Sequence, residues 1–495
     1  MKFIFKNLAL MLFCTVSVFS QTKDETIGNV RKLIAQKEFN KAENTLHNYY
    51  SNHSDDLETN WLYAQVAHWN NNNGLSATLF NKAISIAPKN NIIQLDYARM
   101  LYETSDFNKA LTLINQIKKD KEVQAEALLM EAHIYFWLGN SDKANATIAT
   151  FKKIYPTSNL TEELEKSIKN TTATYVNAEF EYQSDNQPMK YFGEKLKISK
   201  YFSNVLHPEF EIKNYSFNPS QQSLEAQIGN EFSFVNLALK MKLNLGIYKN
   251  FNDSNAGICG IEINKKIAKK SNLQLGFSKK PYLGTLVSTT YTLLQNNIYT
   301  AMDIENCKYI AIHVGYNNQY FEASNTIHTF SSWIISKAKP NSIFSTQFGY
   351  GFSYADSKTN LFESNQTLAT AIANFGSNST IDGVYNPYFT PKNQIVHALI
   401  GIVNYKPTKE LSLSLKGNYG FYATCDNPYI YLDTDVLGNT VFTKSYYKAN
   451  FNPSEIKGIV SYAFSSKFEA SLAYNYQHTF FYNRNNATLS LNYQF

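Results

Sequence analysis

The apolar residues of this 495-residue chain change their spacing near Asn170, and this change limits the folds open to the chain. Before Asn170 the apolar residues recur at the spacing of helices, whereas after it apolar and polar residues alternate. A helical period places apolar side chains on one face of a helix, and a period of two places them on one face of a strand. The sequence therefore predicts a helical first part and a β-sheet second part.

The helical part repeats every 34 residues. Small residues form two columns at this spacing. The first column is Ala42, Ser76, Ala110 and Ala144, and the second is Ala64, Ala98 and Ala132, with Val30 at the corresponding position of the first repeat. Large apolar residues form a third column of Leu46, Phe80, Ile114 and Ile148. Small residues let two helices approach closely, and large ones fill the groove against the next hairpin. The pattern resembles the tetratricopeptide family in four units and implies a short curved solenoid, used either as a rigid spacer or as a docking surface.

The second part alternates clearly in several segments, among them 237–245, 411–419, 468–476 and 489–495. A soluble β-sandwich would also alternate, but three features favour a transmembrane antiparallel β-barrel. Many strands approach ten residues, aromatic residues cluster at strand ends, and the last strand carries Tyr493 and Phe495. This ending resembles the assembly signal of outer-membrane barrels and implies contact with the barrel-assembly machinery. The length predicts about 16 strands, with 14 also open.

Composition agrees with a β-structure that borders lipid. Aromatic residues make up 15% of the chain, with 35 Tyr and 34 Phe against 20 Gly. The formal charge of +6 arises from dispersed residues, and no basic cluster suggests a nucleic-acid partner. Beyond the first 20 positions there is no apolar run of the length that a membrane helix needs.

The first 20 residues predict an export signal. Lys2 and Lys6 precede an apolar stretch over residues 8–19, and Ser20 offers a small residue before cleavage. We therefore predict a signal peptide at 1–20, a periplasmic tetratricopeptide-repeat domain at 21–170 and an outer-membrane β-barrel at 171–495. We expect the protein in the outer membrane of a Gram-negative bacterium, in contact with outer-membrane lipid. Residues 356–394 alternate poorly and predict an extracellular loop that folds over or into the pore.

Chemical motifs are missing from the sequence. After Cys14 in the export signal, Cys259, Cys307 and Cys425 show no metal-binding spacing and predict packing residues. The histidines His313, His328, His397 and His478 lie in predicted strands without a partner motif. We expect no enzyme activity, no catalytic residue, no metal and no cofactor.

Charged residues on the early strands predict a polar interior. A Lys facing lipid near the midplane costs about 2–4 kcal/mol, so charges on alternating strands should face a lumen. The residues are Lys195, Lys197, Glu209, Glu211, Lys213, Glu225, Glu231, Lys240 and Lys242. Their mixed signs fit either a salt-bridged interior or a hydrated channel without strong ion selectivity.

The pairing of repeats with a C-terminal barrel resembles the outer-membrane exporters of cellulose and poly-N-acetylglucosamine, and the smaller YaiO-type barrels. The segments Gly383 to Lys392 and Tyr482 to Arg484 resemble a late-strand entry and a closing hairpin of those barrels. Four repeats are far fewer than the large exporters carry, so the YaiO-type suits this length better. The resemblance implies export or handling of a surface polysaccharide, with the repeats docking a periplasmic protein. The alternative is a general porin or structural barrel whose repeats dock periplasmic proteins.

Overall fold

A computed structural model describes residues 22–186, 189–218, 221–252, 254–268, 270–305, 307, 309–321, 325–338, 342–376 and 379–495. The predicted export signal at 1–20 lies outside these residues. Two compact units divide the chain between Leu164 and Glu165. The predicted domain boundary at 170/171 falls within the helix Glu162–Thr172, which begins in the first unit and ends in the second.

Up to residue 172, the described chain forms nine helices, of which the first eight pair into four antiparallel hairpins. Their bounds are α1 Lys23–Ala35, α2 Phe39–Tyr50, α3 Leu57–Trp69, α4 Asn73–Ile86, α5 Asn91–Glu103, α6 Phe107–Ile117, α7 Gln124–Trp137, α8 Ser141–Ile154 and α9 Glu162–Thr172. Side-chain caps begin several of them: Thr22 accepts from the amide of Glu25, and Asp56 accepts from that of Thr59 at 2.8 Å.

The 34-residue columns lie in the core of these hairpins. The small residues Ala42, Ala64, Ser76, Ala98, Ala110, Ala132 and Ala144 are at most 1% exposed. The Ser76 hydroxyl donates to the Ala64 carbonyl at 2.7 Å, so this polar side chain is satisfied where two helices meet. The two helices of a hairpin therefore approach closely at the small residues, as the 34-residue pattern predicts.

The turn inside each hairpin also repeats at 34 residues. Lys37, Asn71, Ser105 and Gly139 all have positive φ, between 59° and 73°. In each turn the next amide donates to a carbonyl five residues back, as from Asp106 to Leu101 at 2.8 Å. These are left-handed helix ends, which glycine adopts without steric cost and other residues do not.

The described residues of the second unit form one large antiparallel sheet and one small two-stranded sheet. The strands are β1 Thr174–Asp185, β2 Lys190–Lys200, β3 Pro208–Asn218, β4 Gln221–Phe234, β5 Leu239–Lys249, β6 Asn255–Ala268, β7 Ser271–Pro281, β8 Leu294–Ile304, β9 Ile310–Phe321, β10 Thr326–Ser336, β11 Phe344–Ser357, β12 Phe362–Ser364, β13 Thr380–Ile381, β14 Gly383–Tyr385, β15 Gln394–Tyr405, β16 Leu411–Thr434, β17 Thr440–Phe451, β18 Ser454–Ala463, β19 Phe468–His478 and β20 Asn483–Gln494. The short helices α10, Leu286–Thr289, and α11, Leu368–Asn374, lie between strands.

The sheet closes into a barrel because β1 pairs with both β2 and β20, from Tyr175 opposite Gln494 to Asp185 opposite Arg484. β18 pairs with the first half of β16, and β17 pairs with its second half. β13 also pairs only with the second half, at Ile430 and Tyr431. As far as the chain is described, the wall therefore has sixteen strands, and the predicted fold class is confirmed. We call the end where β1 begins and β20 ends the near end, and the opposite one the far end.

The break between β17 and β18 lies at Asn452 and Pro453. Pro453 has no amide hydrogen for the ladder, and its ring occupies the space that a Cβ on Gly420 would need. The Asn452 side chain donates to the Gly420 carbonyl at 2.9 Å and restores a bond across the gap. β16 thus continues beyond the wall at the far end.

The segment between β11 and β15, predicted as an extracellular loop, has secondary structure of its own. β12 pairs with β14, and β13 adds to the extension of β16. Ala371 of α11 packs with Ile381, Ile430 and Leu432 in a small core. Gly383–Tyr385 belongs to this subdomain, and the barrel strand that follows begins at Gln394.

Candidate functional site in the barrel interior

Side chains of the barrel alternate between an apolar outer face and a polar inner face. Large apolar side chains are exposed on the outer face of almost every strand, for example Phe180, Leu196, Phe210, Ile228, Leu245, Leu275, Ile298, Val314, Phe348, Leu399, Leu415, Ile456, Leu472 and Leu489. Leu245 and Ile228 are each 64% exposed, a value typical of residues outside a core. The centre of the barrel is therefore lined by the polar set.

The charged residues singled out from the sequence lie on this inner face of β2 to β5. We call Glu179 and these residues together the charge ladder: Lys195, Lys197, Glu209, Glu211, Lys213, Glu225, Glu231, Lys240 and Lys242. Cross-strand register brings opposite charges together, as where Lys197 faces Glu211 and Lys213 faces Glu225. Opposite charges at such positions stabilise a strand pair.

The first rungs of the charge ladder join β1, β2, β3 and β5. Lys195 is 2.8 Å from Glu179, and Lys197 is 2.9 Å from Glu209. Glu209 also pairs with Lys242, so one carboxylate joins two ammonium groups from different strands. Side-chain exposure is only 13% at Glu209, and a carboxylate so enclosed needs this compensation.

The remaining rungs join β3, β4 and β5. The Lys213 ammonium lies 3.0 Å from Glu211 and 3.6 Å from Glu225, while Lys240 lies 3.1 Å from Glu231. Because each named carboxylate has a cationic partner, the wall is hydrophilic without a strong excess of either sign. Such a surface binds water and hydroxyl groups and selects weakly among ions.

A loop crosses the far end of the barrel. Residues 282–293, which we call the crossing loop, join β7 to β8, yet Arg484 of β20 donates to the Gly284 carbonyl at 3.4 Å. β7 and β20 lie on nearly opposite sides of the wall, so the loop must span the opening. Thr285 donates to the Pro387 carbonyl at 2.5 Å and ties the loop to the β11–β15 segment.

Aromatic side chains hold these loops together. Phe321 and Tyr388 stack at 3.6 Å between ring centroids, and Tyr282 of the crossing loop meets Phe321 edge-on at 5.5 Å. Burial among these rings raises the pKa of Tyr282 to about 12. Tyr385 likewise meets Phe481, in the β19–β20 turn, at 5.3 Å. These contacts restrict the far-end opening.

Each of the four histidines singled out from the sequence lies beside a polar side chain other than serine. His313, His328, His397 and His478 lie within hydrogen-bond distance of Asp303, Tyr316, Tyr350 and Asn483, respectively. His313 also stacks on Trp333 at 5.2 Å on the inner face. In the described residues Cys259, Cys307 and Cys425 are free thiols, and no group of three or more His, Cys, Asp and Glu is arranged to hold a metal ion.

Tyr493 and Phe495 lie at the near end, with their rings 4.7 Å apart and edge-on. Tyr493 faces outwards from β20 and is 39% exposed, and Phe495 is 64% exposed. The Phe495 amide donates to the Thr174 carbonyl at 3.0 Å, which anchors the last residue to the first strand.

None of the described helices is both long enough and apolar enough to span a membrane. Sequence reasoning missed the crossing loop and the inner residues of β6 to β8. Their signal was weak, because Glu262, Gly276 and Tyr299 share no charge pattern and become neighbours only through register.

Comparisons with known proteins give distant likenesses. No protein-family model and no curated protein matches this chain. One similar solved structure is described as a bacterial polysaccharide outer membrane secretin, with 6% identity and a TM-score of 0.48 over 66% of this chain and 99% of that one. In vitro folded OmpT, an outer membrane protein of Vibrio cholerae, gives 9% and 0.30 over 65% and 96%. YrrB, a TPR protein with an unusual peptide-binding site, gives 13% and 0.27 over 30% and 76%. These scores establish neither a family nor a function for the chain.

Proposed function

We propose that the barrel spans the outer membrane of a Gram-negative bacterium, with its far end at the cell surface and its repeats in the periplasm. The apolar outer face supports this placement, because exposed side chains such as Leu245 and Ile228 would be unfavourable in contact with water. Hydrocarbon would cover them, while the charge ladder stays in a hydrated interior. Tyr493 and Phe495 are the residues proposed to engage the barrel-assembly machinery.

The proposed function is export or handling of a surface polysaccharide, without enzymatic chemistry. The observation that carries it is the compensated charge of the inner wall. Carboxylate, ammonium and amide groups offer both acceptors and donors to hydroxyl groups. Because the charges are paired, the wall neither attracts nor repels a passing solute strongly. A polymer rich in hydroxyl groups can exchange water for such partners at little net cost.

The repeats are proposed to dock a periplasmic protein. Trp69 and Trp137 end α3 and α7 at the same position of their repeats, and they are 42% and 50% exposed. Exposed tryptophans are enriched at protein interfaces. A second exposed column, Ile86 and Ile154 at the ends of α4 and α8, provides a matched comparison at 40% and 42% exposure.

Gene deletion tests the export function. Deletion is expected to lower surface-bound and secreted glycan, and the wild-type gene is expected to restore both. Unchanged glycan in the deletion strain would refute export. Full-length Trp69→Ala/Trp137→Ala is expected to lower glycan output at an unchanged level of barrel in the membrane, whereas Ile86→Ala/Ile154→Ala retains it. Equal output from both double variants would refute docking at the tryptophans.

A general porin makes a different prediction. Planar-bilayer recording of a porin shows a steadily open pore, whereas the crossing loop predicts low or intermittent current. A steady open current from the purified wild-type protein would favour the porin.

A further inference from the structure

A polar cavity of 310 Å³ lies against the inner wall between β3 and β8. Its volume is at the lower end of the range for small-molecule sites, roughly 300–1,000 Å³. The side chains that define it come from six strands and comprise Glu209, Glu211, Gln227, Lys242, Asn244, Glu262, Ser278, Lys280 and Tyr299. Only part of this set belongs to the charge ladder.

Glycines lie beneath two of the side chains that line the cavity. Gly276 lies opposite Tyr299, and the Tyr299 ring occupies the space that a Cβ on Gly276 would need. Gly260 lies opposite Asn244, whose amide occupies the corresponding space on β6. One aromatic ring and one amide therefore lie close against the wall, and the space above them stays open.

The rim of the cavity is held in place by bonds among its own members. Gln227 donates to Glu211 at 2.8 Å and accepts from Asn244 at 2.6 Å. Glu209 is paired with Lys197 and Lys242. Because the partners already fix these side chains, a ligand would meet a preorganised set of donors and acceptors, which lowers the entropy cost of binding.

The chemistry of the set favours an uncharged ligand rich in hydroxyl groups. An acidic ligand carries carboxylates that can only accept hydrogen bonds, so these offer no donor to the acceptors of Glu209, Glu211 and Glu262. The ammonium groups of Lys242 and Lys280 would oppose a cationic one. Hydroxyl groups, by contrast, can donate to carboxylates and accept from amides, and an aromatic ring packs against the C–H face of a sugar.

We propose that this cavity is a binding subsite for a neutral sugar unit of the polysaccharide, with Tyr299 as its stacking residue and Glu211, Asn244 and Glu262 as hydrogen-bond partners. The proposal rests on the proposed function and adds the class of sugar and the place where it binds. Gly276 acts as a positioning residue, since it allows the Tyr299 ring to lie against the wall.

Isothermal titration calorimetry of the full-length protein in the sugar-free detergent lauryldimethylamine oxide tests the subsite. The probes are cellohexaose and chitohexaose in its fully N-acetylated form, with hexagalacturonic acid as the acidic comparison. At least one neutral probe is expected to bind at least tenfold more tightly than the acidic one. Tighter binding of the acidic probe would overturn the proposal.

Variants locate the binding. Tyr299→Ala and Gly276→Ala are each expected to weaken binding of the neutral probe at least tenfold, while Tyr299→Phe keeps the ring and most of the affinity. Gly257→Ala is the matched control, because this glycine also lies in a barrel strand and a Cβ there meets nothing within 4 Å. Folded barrel in each variant is verified by its faster migration in unheated gels.

The outcomes separate the subsite from the proposed function. Binding by the wild type that both Tyr299→Ala and Gly276→Ala leave unchanged would overturn the subsite, and polysaccharide handling would stand. No binding of either neutral probe would also overturn the subsite, whereas the glycan output of the deletion strain decides the function independently.

Discussion

Two neighbouring residues of β19 provide a sharp test of which barrel face meets lipid. Leu472 faces outwards near the middle of the strand, between Val460 and Leu489, and is 55% exposed. Ser471 faces inwards between Ser461 and Ser490. The same substitution by lysine therefore places one charge in either of two environments.

Leu472→Lys is expected to destabilise the barrel by about 2–4 kcal/mol, the cost of a lysine at the membrane midplane. This range lowers the folding equilibrium constant roughly 30-fold to 800-fold. Ser471→Lys adds an ammonium group to a hydrated wall of small hydroxyl side chains, so its cost should stay within about 0.5 kcal/mol.

The assay is a reversible urea titration in lipid vesicles, with the folded fraction read from the faster migration of folded barrel in unheated gels. A midpoint that falls for Leu472→Lys and not for Ser471→Lys supports the assignment of faces. Equal midpoints for the two variants, or a larger loss for Ser471→Lys, would refute it.

Three further predictions concern the repeats and the far end. Ser105→Gly is expected to stabilise the helical unit by about 1 kcal/mol, because Ser105 has a positive φ of 64° that glycine adopts without strain. The helical signal at 222 nm during heating of the full chain checks this, and a lower transition temperature for the variant would contradict it. Burial alone would raise the pKa of Asp56, but hydrogen bonds from Lys23 and Thr59 keep this pKa below its ordinary value. The stability that Asp56 contributes is therefore complete above its unfolded pKa, about 3.9, and is lost as pH falls through the lower folded pKa; Asp56→Asn should remove this part of the acid dependence in the same experiment. Thr285→Val removes the bond to Pro387 and is expected to raise the mean current in planar-bilayer recordings, and a current equal to that of the wild type would argue against closure by the crossing loop.

Local patterns predict most of this fold. Ala64 and Ser76 mark a close helix approach because packing within one hairpin depends on residues 12 apart. Alternation around Leu411 and Leu489 assigns strands and faces because the side-chain period of a strand is two.

Features that depend on distant contacts could not be predicted in this way. Arg484 meets Gly284 across 200 positions, and nothing local to either residue indicates that the loop crosses the opening. The ring of Tyr299 lies on Gly276 only because of the register of β7 and β8. The secondary structure between β11 and β15 was also hidden, since its short strands pair within the segment or with the extension of β16.

The central claim is that apolar side chains of the barrel face hydrocarbon and polar ones face a hydrated interior. Spin labels on Phe348, which is 68% exposed on the outer face of β11, and on its inner neighbour Gln347 test this claim in lipid vesicles, after the native cysteines are replaced by alanine. The account predicts that relaxation at position 348 is enhanced by oxygen, which dissolves in lipid, and that relaxation at 347 is enhanced by a water-soluble nickel chelate. Equal access of the nickel chelate to both positions would contradict the account.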